Sequence, residues 1–203
     1  MLQPSSADRS LKAMSSSNKI TILPSFCIGI CISIFVLPIS WIFAWLTAAL
    51  VHELGHMIAL KALKVPVFRI KIGFNGASIE AGYLSAATEC ISALAGPLAG
   101  LTCLFFSRYA PFVAVCGFVH SIYNLLPYPA FDGGRALKVI ISMLLPQGSA
   151  DNVYQCIIVV LSVAFILVGL YLWIIVHLGP IFFAFTAIPV LKSGIIKIPC
   201  KRR

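Results

Sequence analysis

The chain has 203 residues, of which 60% are hydrophobic and 10% charged, with a formal charge of +9. Soluble domains carry roughly 25% charged residues, so this composition cannot coat a globule in water and points to an integral membrane protein. The basic residues flank apolar runs and form no patch with interleaved aromatics, which argues for lipid contact and against nucleic acid.

Residues 1–19 are polar and Ser-rich, with Arg9, Lys12 and Lys19, and read as a flexible cytoplasmic tail before an uncleaved first span. Six spans are expected: Ile20–Leu37, Trp41–Leu63, Ala86–Phe106, Phe112–Leu126, Val153–Leu172 and Trp173–Leu191. A basic tail, residues 192–203, closes the chain. Lys61, Lys64, Arg69, Lys71, Arg135, Lys138, Lys192, Lys197, Lys201, Arg202 and Arg203 fall on one side with the N-terminal cations, and only Arg108 on the other. That bias puts both termini in the cytoplasm. The fold expected is an all-α, six-helix transmembrane bundle with one small cytoplasmic-side β-hairpin. Seven cysteines show no paired CxxC spacing and are expected as free thiols.

The hairpin is read from residues 67–83, VFRIKIGFNGASIEAGY. Phe68, Ile70, Ile72 and Phe74 alternate with Arg69 and Lys71, and Asn75-Gly76 is a strong two-residue turn signal. Centring the turn there pairs Ile72 with Ile79 and Lys71 with Glu80.

The second span holds VHELGHMIAL, with His52, Glu53 and His56 inside an apolar run. A carboxylate at membrane depth costs several kcal/mol and is rarely there without a partner or a task. On a helix, His52 and His56 lie one turn apart on one face, so both imidazoles can reach one metal ion. Glu53 sits beside that face, placed to take a proton from a metal-bound water.

Catalytic zinc typically takes three protein ligands, so a third must come from elsewhere. The candidates are Glu80, Glu89, His120, Asp132, Asp151 and His177. His177 falls at the outer end of its span, Asp151 reads as the N-cap of the fifth span, and Glu80 has Lys71 as its hairpin partner. Glu89 suits a helix N-terminus, and His120 reads as a hydrogen-bonding residue inside the bundle. Asp132 lies in NLLPYPAFDGGR, where Pro127 and Pro129 stiffen the chain and Gly133-Gly134 permit a tight turn. Such a segment can carry a carboxylate back toward the metal; taken alone, it also reads as an ordinary interfacial turn.

Together, His52-Glu53-x-x-His56 and Asn124-x-x-Pro127-x-Pro129-x-x-Asp132-Gly133-Gly134 resemble the site-2 protease family of intramembrane zinc metalloproteases, peptidase M50. SALAGPLAGL, residues 92–101, resembles the small-residue helix that family places between its motif helices. The six-span pattern with a central hairpin is similar to the bacterial and archaeal branch that includes the sporulation sigma-factor-processing protease. The resemblance implies one zinc ion held by His52, His56 and Asp132, Glu53 as general base, and Asn124 as a substrate-binding residue. It implies a membrane-spanning regulatory protein as substrate, with a membrane regulatory partner or a second copy of the chain as partner. A catalytically silent scaffold binding client helices is the alternative; it would be expected to lack Glu53, a ligand or the Asp132 turn, and all are present.

Overall fold

A computed structural model describes residues 20–73 and 76–177. The N-terminal tail, the sixth span beyond His177 and the basic C-terminal tail lie outside the described residues. Among those described, strand β1 (Ile20–Ile22) leads into helix α1 (Pro24–Val36). Helix α2 (Ile39–Ala62) follows, then strands β2 (Val67–Gly73) and β3 (Gly76–Ala81). Helix α3 (Ala86–Leu101) runs on into a 3₁₀ turn (Thr102–Phe106), and α4 (Pro111–Asn124), α5 (Asp132–Leu144) and α6 (Gln147–Ile174) complete the order.

Three helical stretches are long and apolar enough to cross a bilayer: Ile39–Ala62, Ala86–Phe106 and Gly148–Ile174. Helices α1 and α4 have 13 and 14 residues. At 1.5 Å per residue they span about 20 Å, short of a hydrocarbon core of about 30 Å. Among the described residues, three helical stretches thus have the length and apolarity of a full span; the expected six-span bundle is not reproduced there, and most of its sixth span lies outside them.

Several local expectations change. Residues 20–22 open the first expected span as a strand, pairing parallel with β2 so that Ile20 faces Ile70. The sheet therefore has three strands in the order β1-β2-β3, with β2 central and β3 on an edge. In the hairpin, Gly73 pairs with Gly76, Ile70 with Ile79 and Arg69 with Glu80, a two-residue slip from the expected register. Because side chains alternate with period two, that slip keeps each residue on its expected face. Gly76, at φ 106°, takes the left-handed conformation at the start of β3. The Lys71–Glu80 ion pair forms diagonally, and the Lys71 hydrogen bond holds the Glu80 carboxyl below the usual glutamate range.

The Asp-Gly-Gly segment expected as a turn is instead the first turn of α5. Helix α6 begins six residues before the expected fifth span and continues through the division placed between Leu172 and Trp173. Asp151 consequently lies in its second turn, 3.4 Å from Lys138, rather than at its N-cap. Cys27, Cys31, Cys90, Cys103, Cys116 and Cys156 are free thiols.

Candidate metal centre

Helix α2 turns large apolar side chains outward and buries mostly small residues together with its two histidines. Trp41, Phe43, Trp45, Leu50, Leu54 and Ile58 are exposed, while Ala44, Ala48, His52, Gly55, His56 and Ala59 are buried. Between helices in a bilayer, apolar burial supplies little drive, so small residues that admit close approach set the packing. Gly55 shows this: a Cβ there would collide with the Ala95 carbonyl and the Ala99 methyl of α3. Gly96 has a sharper role, because a Cβ there would overlap Nε2 of His56. The small-residue helix α3 therefore makes room for an imidazole as well as for a backbone.

Asp132 reaches the same place from the other side of the bundle. Tyr128, Phe131, Ile141, Ala150, Tyr154 and Ile158 form a core that clamps the proline-rich loop between α5 and α6. Gly133 and Gly134 lack the Cβ atoms that would strike the carbonyls of Leu125 and Tyr128, so the loop folds directly over the start of α5. Asp132 is thereby fixed in the first turn of a helix, where the unpaired N–H groups favour a carboxylate. Arg135, one turn on, lies 3.6 Å from Asp132 Oδ1 and 3.9 Å from Glu89.

His52, His56 and Asp132 are 2%, 7% and 9% exposed, and they converge. Asp132 Oδ2 lies 3.0 Å from His52 Nε2 and 3.1 Å from His56 Nε2, and the two Nε2 atoms are 3.2 Å apart. His56 Nδ1 is 2.7 Å from the Ser92 carbonyl, which can only accept, so Nδ1 donates there and Nε2 is the nitrogen turned toward Asp132 and His52. His52 Nδ1 is buried without a partner among the described residues. Its ring is held by edge-on packing against His56 and His120.

Two imidazole nitrogens and a carboxylate oxygen facing one another at this spacing suit a cation between them. Metal–ligand distances of about 2.0–2.1 Å place the corners of a tetrahedron about 3.3 Å apart, close to the triangle seen here. The His56–Ser92 bond supplies the orienting contact that metal-bound histidines usually have. The donor set fits a metal ion, with His52, His56 and Asp132 as the residues that could hold it.

The triangle opens into a cavity of about 440 Å³. Glu53 lines it, with Oε1 accepting the Ala77 N–H of β3 at 3.2 Å. Asn124 lines it too, with Nδ2 donating to the His120 carbonyl at 3.0 Å. His120 also lines the cavity, yet among the described residues its ring makes no hydrogen bond, contrary to its expected role. The structure thus brings His52, Glu53, His56, Asn124 and Asp132 to one cavity. Glu80 stays on the hairpin, Glu89 pairs at distance with Arg135, and Asp151 and His177 lie outside the cavity lining. Ser92, Gly96 and Ala77 were not singled out as functional in the sequence; Gly96 carried the one visible signal, as part of a small-residue stripe.

These features define a helical membrane protein with a buried His-His-Asp cluster opening onto an acid-lined cavity. No family model and no curated protein matches the chain. Among solved structures, the Site-2 Protease from Methanocaldococcus jannaschii is similar in fold, with a TM-score of 0.58. The identity is 18%, over 86% of this chain and 88% of that one.

Proposed function

We propose that the chain is an intramembrane zinc metalloprotease of the site-2 protease family, peptidase M50, on the sporulation sigma-factor-processing-like branch. It hydrolyses a peptide bond in or near the membrane-spanning segment of a regulatory protein. The observation that carries this reading is the meeting of two histidine nitrogens and one carboxylate oxygen beside Glu53 at a cavity wall. The fold likeness to a site-2 protease supports it.

In this reading His52, His56 and Asp132 hold one zinc ion per chain. When bound, zinc polarises the scissile carbonyl and lowers the pKa of water toward ~7. Glu53 takes the proton of the attacking water and returns it to the departing nitrogen as the C–N bond breaks. Asn124 binds substrate backbone beside it. A substrate helix must unwind to expose its carbonyls, and the free edge of β3, which lines the cavity at Ala77 and Ile79, offers a strand onto which the unwound segment can add. Residues 20–191 form the membrane core between two cytoplasmic tails, with the active site toward the cytoplasm. A membrane regulatory partner or a second copy completes the assembly.

The test is co-expression with candidate single-span membrane regulators, comparing wild type with Glu53→Gln. The expected result is zinc bound by both and cleavage by wild type alone. Equal cleavage by the variant would sink the proposal, and zinc binding with no cleavage of any client by either would favour the silent scaffold.

A further inference from the structure

We propose that His120 is a catalytic residue of this cavity, donating a hydrogen bond from its ring N–H to the carbonyl oxygen of the peptide being cut. The inference rests on the proteolytic reading and deepens it.

His120 and Asn124 are four residues apart on α4, so they share one face, and both line the cavity with Glu53 and the His-His-Asp cluster. The imidazole is held without use of its nitrogens. It meets the His52 ring edge-on at 4.7 Å and 89°, and the Trp45 ring at 5.1 Å and 85°. Its two nitrogens make no hydrogen bond among the described residues, and it is not one of the converging donors. An ionisable side chain placed in a membrane helix with its polar atoms unspent is costly without a task. Asn124, the other donor on this face, has already given one amide hydrogen to the main chain. His120 therefore presents an unused donor on a ring held in place at the cavity wall.

The balance of the step is simple. The water oxygen bonds to the carbonyl carbon, and the π pair moves onto the carbonyl oxygen. Glu53 carries the water proton to the nitrogen as the C–N bond breaks. His120 keeps its proton throughout, and its hydrogen bond strengthens as the oxygen becomes anionic, which lowers the barrier rather than tightening substrate binding.

The test uses the full-length, zinc-loaded protein with a cleavable client peptide in detergent, and the variants His120→Phe and His120→Gln. Phe keeps the edge-on packing against Trp45 and His52 but has no donor; Gln restores a donor. Losing one such donor should lower kcat about 10²–10³-fold, the effect seen when an oxyanion donor is removed. KM and zinc stoichiometry should stay within about twofold, because the interaction is made in the transition state. A phosphinic peptide, whose anionic oxygen mimics that state, should weaken by a comparable factor, and Gln should recover part of both losses. Wild-type kcat in His120→Phe would overturn the proposal. So would zinc loss in step with activity, which would make His120 a packing support for His52. A wild-type protein that loads zinc yet cuts no client would overturn the proteolytic reading itself, and this proposal with it.

Discussion

Ala77 donates its main-chain N–H to Glu53 Oε1 across 3.2 Å, so the free edge of the sheet and the histidine-bearing helix meet at one carboxylate. In an antiparallel pair the outward-facing groups recur every second residue, so Ile79 presents its own N–H and C=O to the same edge. An extended segment adding there would engage Ile79 beside the reacting centre, the Ala77 N–H being held by Glu53.

Ile79→Pro should therefore cut cleavage by about tenfold or more, the value of one lost hydrogen bond and its partner left unpaired. Ile79→Ala, which keeps the N–H, should stay near wild type. Zinc content measured alongside should be unchanged in both. Equal activity for the proline variant would remove β3 from substrate binding.

Gly96→Ala places a methyl group where His56 Nε2 lies, and the His56 ring cannot swing away while Nδ1 is tied to Ser92. Overpacking of this kind costs about 1–3 kcal/mol. Zinc affinity, measured by competition with a chelator, should fall roughly 5- to 150-fold. An unchanged affinity would mean that the two helices separate at little cost.

Gly134→Ala sets a Cβ against the Tyr128 carbonyl, a backbone atom that cannot rotate aside. The start of α5 should lift from the loop, taking Asp132 with it. Thermal unfolding in detergent should drop, with loss of stability of about 3 kcal/mol or more and loss of zinc together. Tyr128→Phe is the control. It removes only a long 3.4 Å bond from Ser162, so it should cost under about 1 kcal/mol and leave zinc in place.

Glu80 gives the hairpin a pH dependence whose sign follows from its Lys71 bond. A carboxyl held below its ordinary value of 4.5 contributes at neutral pH and loses that contribution as pH falls through its own lower value. The pair is well exposed, so the effect is local. Limited proteolysis within residues 67–81 should speed up below about pH 4 in wild type. In Glu80→Gln the rate should be flat across the same range.

How much of this was legible in the sequence depended on how local each signal was. His52, Glu53 and His56 sit within one helical turn, so their spacing carried their geometry. Asp132 is eighty residues from His52, and it was found because prolines and glycines marked its surroundings. Gly133 and Gly134 are helical, and what they provide is room for two carbonyls. The glycine pair, read as a turn, also concealed α5, although Ala136 and Ile141 on its buried side and Arg135, Lys138 and Ser142 on its open side were a readable amphipathic pattern. Strand β1 has three residues and a partner fifty positions away, too short a run to carry a period. The hairpin lies two residues from its expected register because it closes on the Gly73–Gly76 pair rather than around Asn75-Gly76.

The parallel pairing of Ile20 with Ile70 also constrains how the chain is assembled. The ribosome delivers β1 first, yet β1 has no neighbour until α1 and α2 have been made and β2 has emerged. The two intervening helices must bring the chain back beside the strand from which it started. The sheet, and with it the strand that walls the cavity, is therefore complete only after both helices are in place. Without that return β1 would have no partner and β2 would keep β3 alone, with its other edge left open.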